Sequence, residues 1–479
     1  MSIKESPYYS FYLLESKYKL FHIDIDGVYI WQLLRFNLLK KISCGGNICR
    51  RNKKIRISLI CRFVKLCLCS IFCIYYIFRG KNNKIMCIRP IYTVDMNLNK
   101  NDHQFDYLGT DFIKNAVNIY ALGEYKLNGS IREVNLSLAE LILSFWKLKQ
   151  KICKIKPVIS DKEIGNIKLF LDEINSIYST NFDFNLLFSD IPYVIASHRI
   201  YKKTFQKYFN IFSPKAILLY PHYDEHMFSA IDAAKSLGIP TIELQHGRIN
   251  SHESYSYFEN NLYGKYLPNY FFTYGEWWNL QINLPSYCKV ISIGNSFLQS
   301  QLLCCSSLKE TKQICFFSGP PTGKDLSEFV AKNIALLKKE GYKVVYKLHP
   351  NEIKNWKLTY PQLINSEIIV VDDPNVSIYS LLAKSEVVVA ISSTCLFEAT
   401  VFKTKKIFVY GKGNYAAMAP LLKINKATFI KSASDLLNYL KSNNSKISSC
   451  QNNFSNELWK RYSPDYFNNT IKNIMTKSR

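Results

Sequence analysis

Several familiar signatures are missing from this chain of 479 residues. Its 14 cysteines are scattered, many on apolar runs, and none forms a paired Cys-x-x-Cys at zinc spacing. The N-terminus, Met1-Ser-Ile-Lys-Glu, lacks the apolar core of a signal peptide. Together these predict reduced thiols in the cytosol. No uninterrupted apolar run reaches the about 20 residues that a spanning helix requires. There is no zinc finger, RNA-recognition signature or continuous basic recognition helix, so nucleic acid is not an expected partner. The loop Gly319-Pro-Pro-Thr-Gly323-Lys324 is one residue short of a P-loop. Asp325 follows where Ser or Thr is needed, and two prolines remove backbone donors, which excludes ATPase chemistry. Acidic residues are scarce, with 37 Asp+Glu against 62 Lys+Arg and a formal charge of +25. Such an excess favours an anionic partner, either a membrane face or a phosphorylated substrate, unless the lysines simply solvate the surface.

What is present is a globular composition, 48% hydrophobic, in a chain long enough for two or more domains. Lys40, Lys41, Arg50, Arg51, Lys53, Lys54 and Arg56 form a basic run. An apolar stretch follows from Ile57 to Phe78, interrupted by Arg62 and Lys65. Its unbroken part, Leu66 to Phe78, suits an interfacial anchor on an anionic inner-membrane surface, or else a helix buried in the N-terminal domain. Asp24-Ile-Asp26 has the spacing of a metal-binding DxD, but Gly27 follows and no nucleotide-binding pattern surrounds it, so it reads as a turn. Lys84–Arg89 reads as a strand, and Ile131–Lys156 and Asp161–Tyr178 as helices.

From Ser213 strands and helices alternate. Ala216–Tyr220 is a strand, Glu225–Leu237 a helix stopped by Gly238 and Pro240, and Thr241–Leu244 a strand that runs into Gln245-His246-Gly247. Tyr270–Thr273 and Val290–Ile293 are further strands. A second series begins with the strand Gln313–Phe317 and the helix Leu326–Lys339. It continues through Lys343–Leu348, Ile368–Val371, Ser377–Lys384, Glu386–Ile391, Leu396–Val401 and Lys406–Tyr410. Alternation of this kind predicts an α/β fold with two parallel-sheet, Rossmann-like domains facing a cleft. The expected divisions are 1–295, 296–441 and a tail, 442–479, returning to the first domain.

Each polar cluster falls where a strand ends, which is the ligand-binding edge of such a sheet. His349 is held at the rim by Pro350, and Ser392, Ser393 and Thr394 lie between a strand and the next helix. Hydroxyls and backbone N–H groups at a helix start bind phosphate, although plain N-capping would place the same residues there. Ser318 and Gly319, in the first loop of this series, are candidate donor contacts. In the first series, His246 is the leading candidate general base, with Asp224 and Glu225 as the competing pair; His222 and His226 share that loop.

Lys347-Leu-His349-Pro350 followed by Ser392-Ser393-Thr394 resembles the HP and S(S/T) motifs of bacterial sialyltransferases and polysialyltransferases, and capsular Kdo transferases have a similar arrangement. Gln245-His246-Gly247 resembles the WHG of CDP-glycerol glycerophosphotransferases, with Gln in place of Trp. The acidic D/E-D/E-G of the sialyltransferases is matched by Asp224-Glu225, with His226 in place of Gly. The resemblance spans residues 213–430. It implies a GT-B glycosyltransferase in which His349 and the Ser/Thr hydroxyls contact the donor's phosphate and His246 is the base. The expected reaction is inverting and needs no metal or cofactor. The expected donor is a CMP-activated nonulosonic acid or Kdo, and the acceptor a lipid-linked or polysaccharide chain of O-antigen or capsule. A CDP-glycerol or UDP-hexose donor, a sugar-nucleotide epimerase and a non-catalytic polysaccharide-assembly protein are the alternatives. The expected location is cytoplasmic, peripheral on the inner face of the membrane.

Overall fold

A computed structural model describes residues 8–43, 84–89, 108–120, 134–153, 157–249, 265–320, 322–364, 367–402, 406–411, 418–441 and 458–477, with residues 67, 70, 71, 74, 105 and 255. Arg50, Arg51, Lys53, Lys54, Arg56 and most of the apolar stretch 57–78 lie outside these. The chain divides into two compact units, Met1–Gly294 with Tyr462–Arg479, and Asn295–Arg461. No described helix is long and apolar enough to cross a membrane.

The first unit opens with the helices Tyr9–Lys17 and Ile30–Ser43, joined through a two-stranded hairpin, β1 (Asp24–Ile25) and β2 (Val28–Tyr29). Asp26 and Gly27 both have positive φ, 52° and 81°, as the tight hairpin turn requires. The Asp24 carboxylate accepts the Gly27 N–H at 2.6 Å, and the Asp26 carbonyl accepts from Arg199. The DxD spacing is therefore turn chemistry, as read from the sequence.

The main sheet of this unit has seven parallel strands. They are β3 (Ile85–Arg89), β4 (Val117–Tyr120), β5 (Val134–Asn135), β6 (Ala216–Leu219), β7 (Thr241–Leu244), β8 (Tyr270–Thr273) and β9 (Lys289–Ser292), in the order β5-β4-β3-β6-β7-β8-β9. Both faces are covered, which is why the central strands are apolar throughout. Met86, Ile88, Ile217 and Leu219 pack against the helices Phe184–Phe212 and Glu225–Ser236. Ile85, Cys87, Ala216 and Leu218 pack with Phe467, Ile471 and Ile474 of the helix Pro464–Lys477.

The continuous helix expected over Ile131–Lys156 is corrected by the structure. Val134–Asn135 pairs with β4 as the outermost strand, and the helix begins only at Ser137, whose N–H bonds to the Asn135 side chain at 3.0 Å. Strand pairing here outcompetes one more helical turn. The helix then runs Ser137–Cys153. The helix Asp161–Tyr178 starts where the sequence places it, because Ser160 and Glu163 form a reciprocal capping box.

The second unit carries six parallel strands: β10 (Thr311–Phe317), β11 (Lys343–Lys347), β12 (Ile369–Val371), β13 (Ser385–Ala390), β14 (Lys406–Tyr410) and β15 (Thr428–Ile430). Their order is β12-β11-β10-β13-β14-β15. The chain thus builds outward from β10 in one direction, then returns and builds outward in the other. That reversal leaves a crevice at the carboxyl ends of β10 and β13, where ligands of doubly wound sheets bind. In the first unit the corresponding reversal falls between β3 and β6. The fold is α/β with two Rossmann-like domains.

Candidate functional site

In the second unit, the residues singled out in the sequence sit on three adjacent strand ends. His349 follows β11, Ser318 and Gly319 follow β10, and Ser392–Thr394 follow β13. The His349 loop is tightly tied. Its backbone N–H bonds to Glu352 Oε2 at 3.0 Å, and Glu352 Oε1 takes the Tyr360 hydroxyl at 2.5 Å. The Asn351 N–H donates to His349 Nδ1 at 3.2 Å. With Nδ1 accepting, the proton of the neutral ring is on Nε2, so the outer nitrogen is a donor. Partial burial lowers the His349 pKa, with Glu352 opposing, which favours that neutral form. Pro350 is exposed in the turn.

Ser392 and Thr394 are exposed, and Ser393 Oγ accepts the Cys395 N–H at 3.3 Å. One hydroxyl of the three is therefore tied to the backbone at the start of the short helix Cys395–Ala399, and two are exposed. Ser318 is buried, and its Oγ accepts from the Tyr346 hydroxyl at 3.1 Å; it belongs to the wall. A Cβ built on Gly319 would meet nothing, so the space over the end of β10 is open. Gly323 is the opposite case, because a Cβ there would lie 2.4 Å from Glu352 Oε1 and 2.6 Å from Ser318 Oγ.

Two features of this edge were passed over in the sequence. Glu398, on the short helix after Thr394, has a buried Oε2 with no partner among the described residues. Burial raises its pKa to about 7, with a hydrogen bond from Tyr379 opposing. A lone carboxylate inside Leu396-Phe397-Glu398-Ala399 is the signal that could have found it. The second is a cavity of about 520 Å³ at the carboxyl ends of β13, β14 and β15, lined by Thr322, Asp325, Ile391, Tyr410 and Lys431 among others. Its size suits a small ligand. His349 and Ser392–Thr394 are not among its lining residues.

In the first unit the candidates also follow strand ends, but they separate into two clusters. His246 follows β7, and its Nε2 lies 2.9 Å from the Tyr223 hydroxyl. Its Nδ1 is buried with no partner among the described residues. Burial lowers the His246 pKa to about 4, with Glu243 opposing, so the ring is neutral at pH 7. If the Nε2–H donates to Tyr223, Nδ1 keeps a lone pair, which is what a base requires. Gln245 holds this loop, donating to the Gly247 carbonyl at 2.8 Å and accepting the Tyr274 N–H at 2.8 Å. Behind it, His222 and Glu243 are fully buried, with His222 Nδ1 to Glu243 Oε2 at 2.7 Å and the Tyr255 hydroxyl on Glu243 Oε1 at 3.0 Å.

Asp224 belongs to the other cluster. It is the N-cap of the helix Glu225–Ser236, accepting the His226 N–H at 3.1 Å, and it contacts His226 Nδ1 at 2.8 Å. Glu140 lies 3.5 Å from His226 Nε2. Burial alone would neutralise His226, but the two carboxylates raise its pKa to about 10. Burial works against the charge on Asp224 as well, and the imidazolium overrides it to lower that pKa. Glu225 has a buried, unpartnered Oε1 among the described residues and a pKa raised by burial. The acidic pair is thus built around His226, the residue that stands where the resemblance has Gly. Among the described residues no group of three His, Cys, Asp or Glu could hold a metal ion.

No family model and no curated protein matches the chain. Among solved structures, UDP-GlcNAc 2-epimerase from Neisseria meningitidis bound to UDP-GlcNAc aligns at 15% identity, covering 63% of this chain and 88% of that one, with a TM-score of 0.42. UDP-N-acetylglucosamine 2-epimerase from Rickettsia bellii aligns at 14%, covering 83% and 97%, with 0.43. The α,α-trehalose 6-phosphate synthase of Burkholderia multivorans aligns at 11%, covering 83% and 98%, with 0.45. At these identities and scores the likeness says nothing of substrate or reaction.

Proposed function

We propose that this chain is a glycosyltransferase that moves a sugar from a nucleotide donor to a hydroxyl acceptor by inverting, metal-independent displacement. The observation that supports it most is the tied His349 loop, which leaves a neutral ring with its proton on the outer nitrogen. The ends of β11 and β13 are two strand spacings apart, about 10 Å. A phosphate over the open end of β10 comes within reach of His349 Nε2 on one side and of the Ser392 and Thr394 hydroxyls on the other. Donors aimed at a departing phosphate stabilise the charge that develops there. His246 takes the acceptor proton. Asp224 is committed to His226 and leaves the base role to His246. The acceptor is proposed to be a lipid-linked or polysaccharide chain.

For the donor, the CMP-sugar reading rests on the motif resemblance alone. A UDP-hexose is the second reading, and that nucleotide is tested beside the others. A thermal-shift series with CMP, CDP, UDP and GDP decides between them, because a nucleotide at 100 times its Kd stabilises the native state by about 2.7 kcal/mol. A shift with CMP alone supports the nonulosonic-acid or Kdo donor, and a larger shift with UDP supports the hexose. Interconversion of UDP-GlcNAc without an acceptor would make the chain an epimerase, and no shift with any nucleotide would remove the transferase reading.

A further inference from the structure

The helix Ser137–Cys153 turns one side into the first unit, where Ala139 and Leu143 join the core over the sheet. Its other side is apolar too. Leu138, Ile142, Phe145, Leu148 and Ile152 recur at i, i+4, i+7, i+10 and i+14, which is one stripe of a helix. They are 40%, 45%, 57%, 57% and 71% exposed, rising toward the C-terminal end. Scattered single exposed apolar residues are ordinary, but a stripe along four turns is not. A second apolar element adjoins it. Ser70 Oγ is 3.1 Å from Ser137 Oγ, which sets the helical turn at residue 70 beside the start of this helix. Ile71 and Ile74, themselves helical, are 63% and 47% exposed.

Beyond Glu140, which lies against His226, the charge along these two stretches of sequence has one sign. Residues 141–160 contain five lysines and no Asp or Glu, and residues 27–94 contain no Asp or Glu either. Lys149 is exposed on the apolar side itself, and Lys147 is exposed with its ammonium 4.8 Å from the Tyr193 ring centre. Long lysine stems lie along apolar surface while their ends reach a polar layer. An interface with another copy of this chain would bring these lysines against one another. A lipid surface with anionic headgroups accepts both the apolar stripe and the cations.

We infer that the helix Ser137–Cys153, together with Ile71 and Ile74, is a membrane-docking face that lies in the headgroup layer of an anionic bilayer. The face is independent of the nucleotide reading. It rests on a helix that carries no motif of its own.

The full-length chain is sedimented with vesicles of phosphatidylglycerol and phosphatidylethanolamine, and with vesicles of phosphatidylcholine. The wild type is expected in the pellet with the anionic vesicles, with 0.5 M NaCl releasing most of it. The double variant Ile142→Glu/Ile152→Glu is expected to partition at least about ten-fold less, since both side chains lose their burial in the interface and gain a repelled charge. Both positions are exposed, so its melting temperature should match the wild type. Equal binding of the double variant overturns the proposal, as does a wild type that stays in solution with anionic vesicles. A wild type that is dimeric without lipid and becomes monomeric in the double variant also overturns it, since the face is then an interface between copies.

Discussion

Asp224→Asn separates the two candidate bases. The amide keeps an oxygen that can cap the helix Glu225–Ser236, and Asn is as good an N-cap as Asp, so the helix start survives. What is lost is the charge facing His226 at 2.8 Å. The rise of the His226 pKa from 6.5 to about 10 bounds the effect at roughly 5 kcal/mol, shared between Asp224 and the more distant Glu140. Removing one partner of a buried pair costs about 3–5 kcal/mol, so about 2–4 kcal/mol is expected here. For a chain of this size that lowers the melting temperature by about 2–4 °C. Because the folded pKa of His226 is raised, its stabilisation is complete below about pH 6.5 and is lost as pH rises through about 10. The gap between wild type and variant should therefore be full at pH 6 and close toward pH 10. Turnover at 20 °C, below both melting transitions, should stay near the wild-type value. A variant that melts like the wild type at pH 6 yet has no turnover would make Asp224 the base and refute this account.

Four further outcomes follow from the same geometry. His349→Ala should leave the unliganded melting temperature unchanged and lower turnover about a hundred-fold, the usual effect of losing one donor at a developing charge; wild-type turnover removes His349 from the site. His246→Ala should lower kcat by about 10²–10⁴ while the nucleotide thermal shift is retained, because His246 and the phosphate-edge residues belong to different units. With the His246 pKa near 4, the acid limb of the wild-type kcat/KM profile should fall only as pH drops through about 4, and a limb near 6.5 would assign the base elsewhere. Gly323→Ala should cost about 1–3 kcal/mol by overpacking and also weaken nucleotide binding, since the new Cβ displaces the Glu352 that ties the His349 loop; a variant with unaltered nucleotide affinity would dissociate Glu352 from that loop.

The strand ends were legible in the sequence because they are local. A buried parallel strand is an apolar run, a following Pro or Gly ends it, and the polar residue after it lies at the rim, as with His246 and His349. What stayed hidden depends on partners distant along the chain. Asp224 reads as an unpaired carboxylate, yet it contacts His226, which Glu140 also approaches, and Glu140 lies on a helix with no motif of its own. Ser318 reads as a free hydroxyl until Tyr346 claims it. Glu243 was one letter of the strand Thr241–Leu244, yet it holds His222 and Tyr255 in the interior. The helix assigned to Ile131–Lys156 swallowed a strand, because two residues of β5 carry no periodicity to read.

The path of the chain between the units bears on how it is made. Asn295–Arg461 is one uninterrupted stretch, whereas the first unit resumes at Tyr462. Ile85, Cys87, Ala216 and Leu218 share one cluster with Phe105, Leu108 and Ile113 and with Phe467, Ile471 and Ile474, so part of their cover arrives only with the helix Pro464–Lys477. Domains ordinarily complete in the order in which they leave the ribosome. Here the order inverts: the later-encoded unit has its whole core in hand first, while the earlier one waits for part of the cover on one side of its sheet. A nascent chain halted at residue 461 would hold every residue of the second unit but not of the first, and the 18 residues Tyr462–Arg479 would decide whether the first closes.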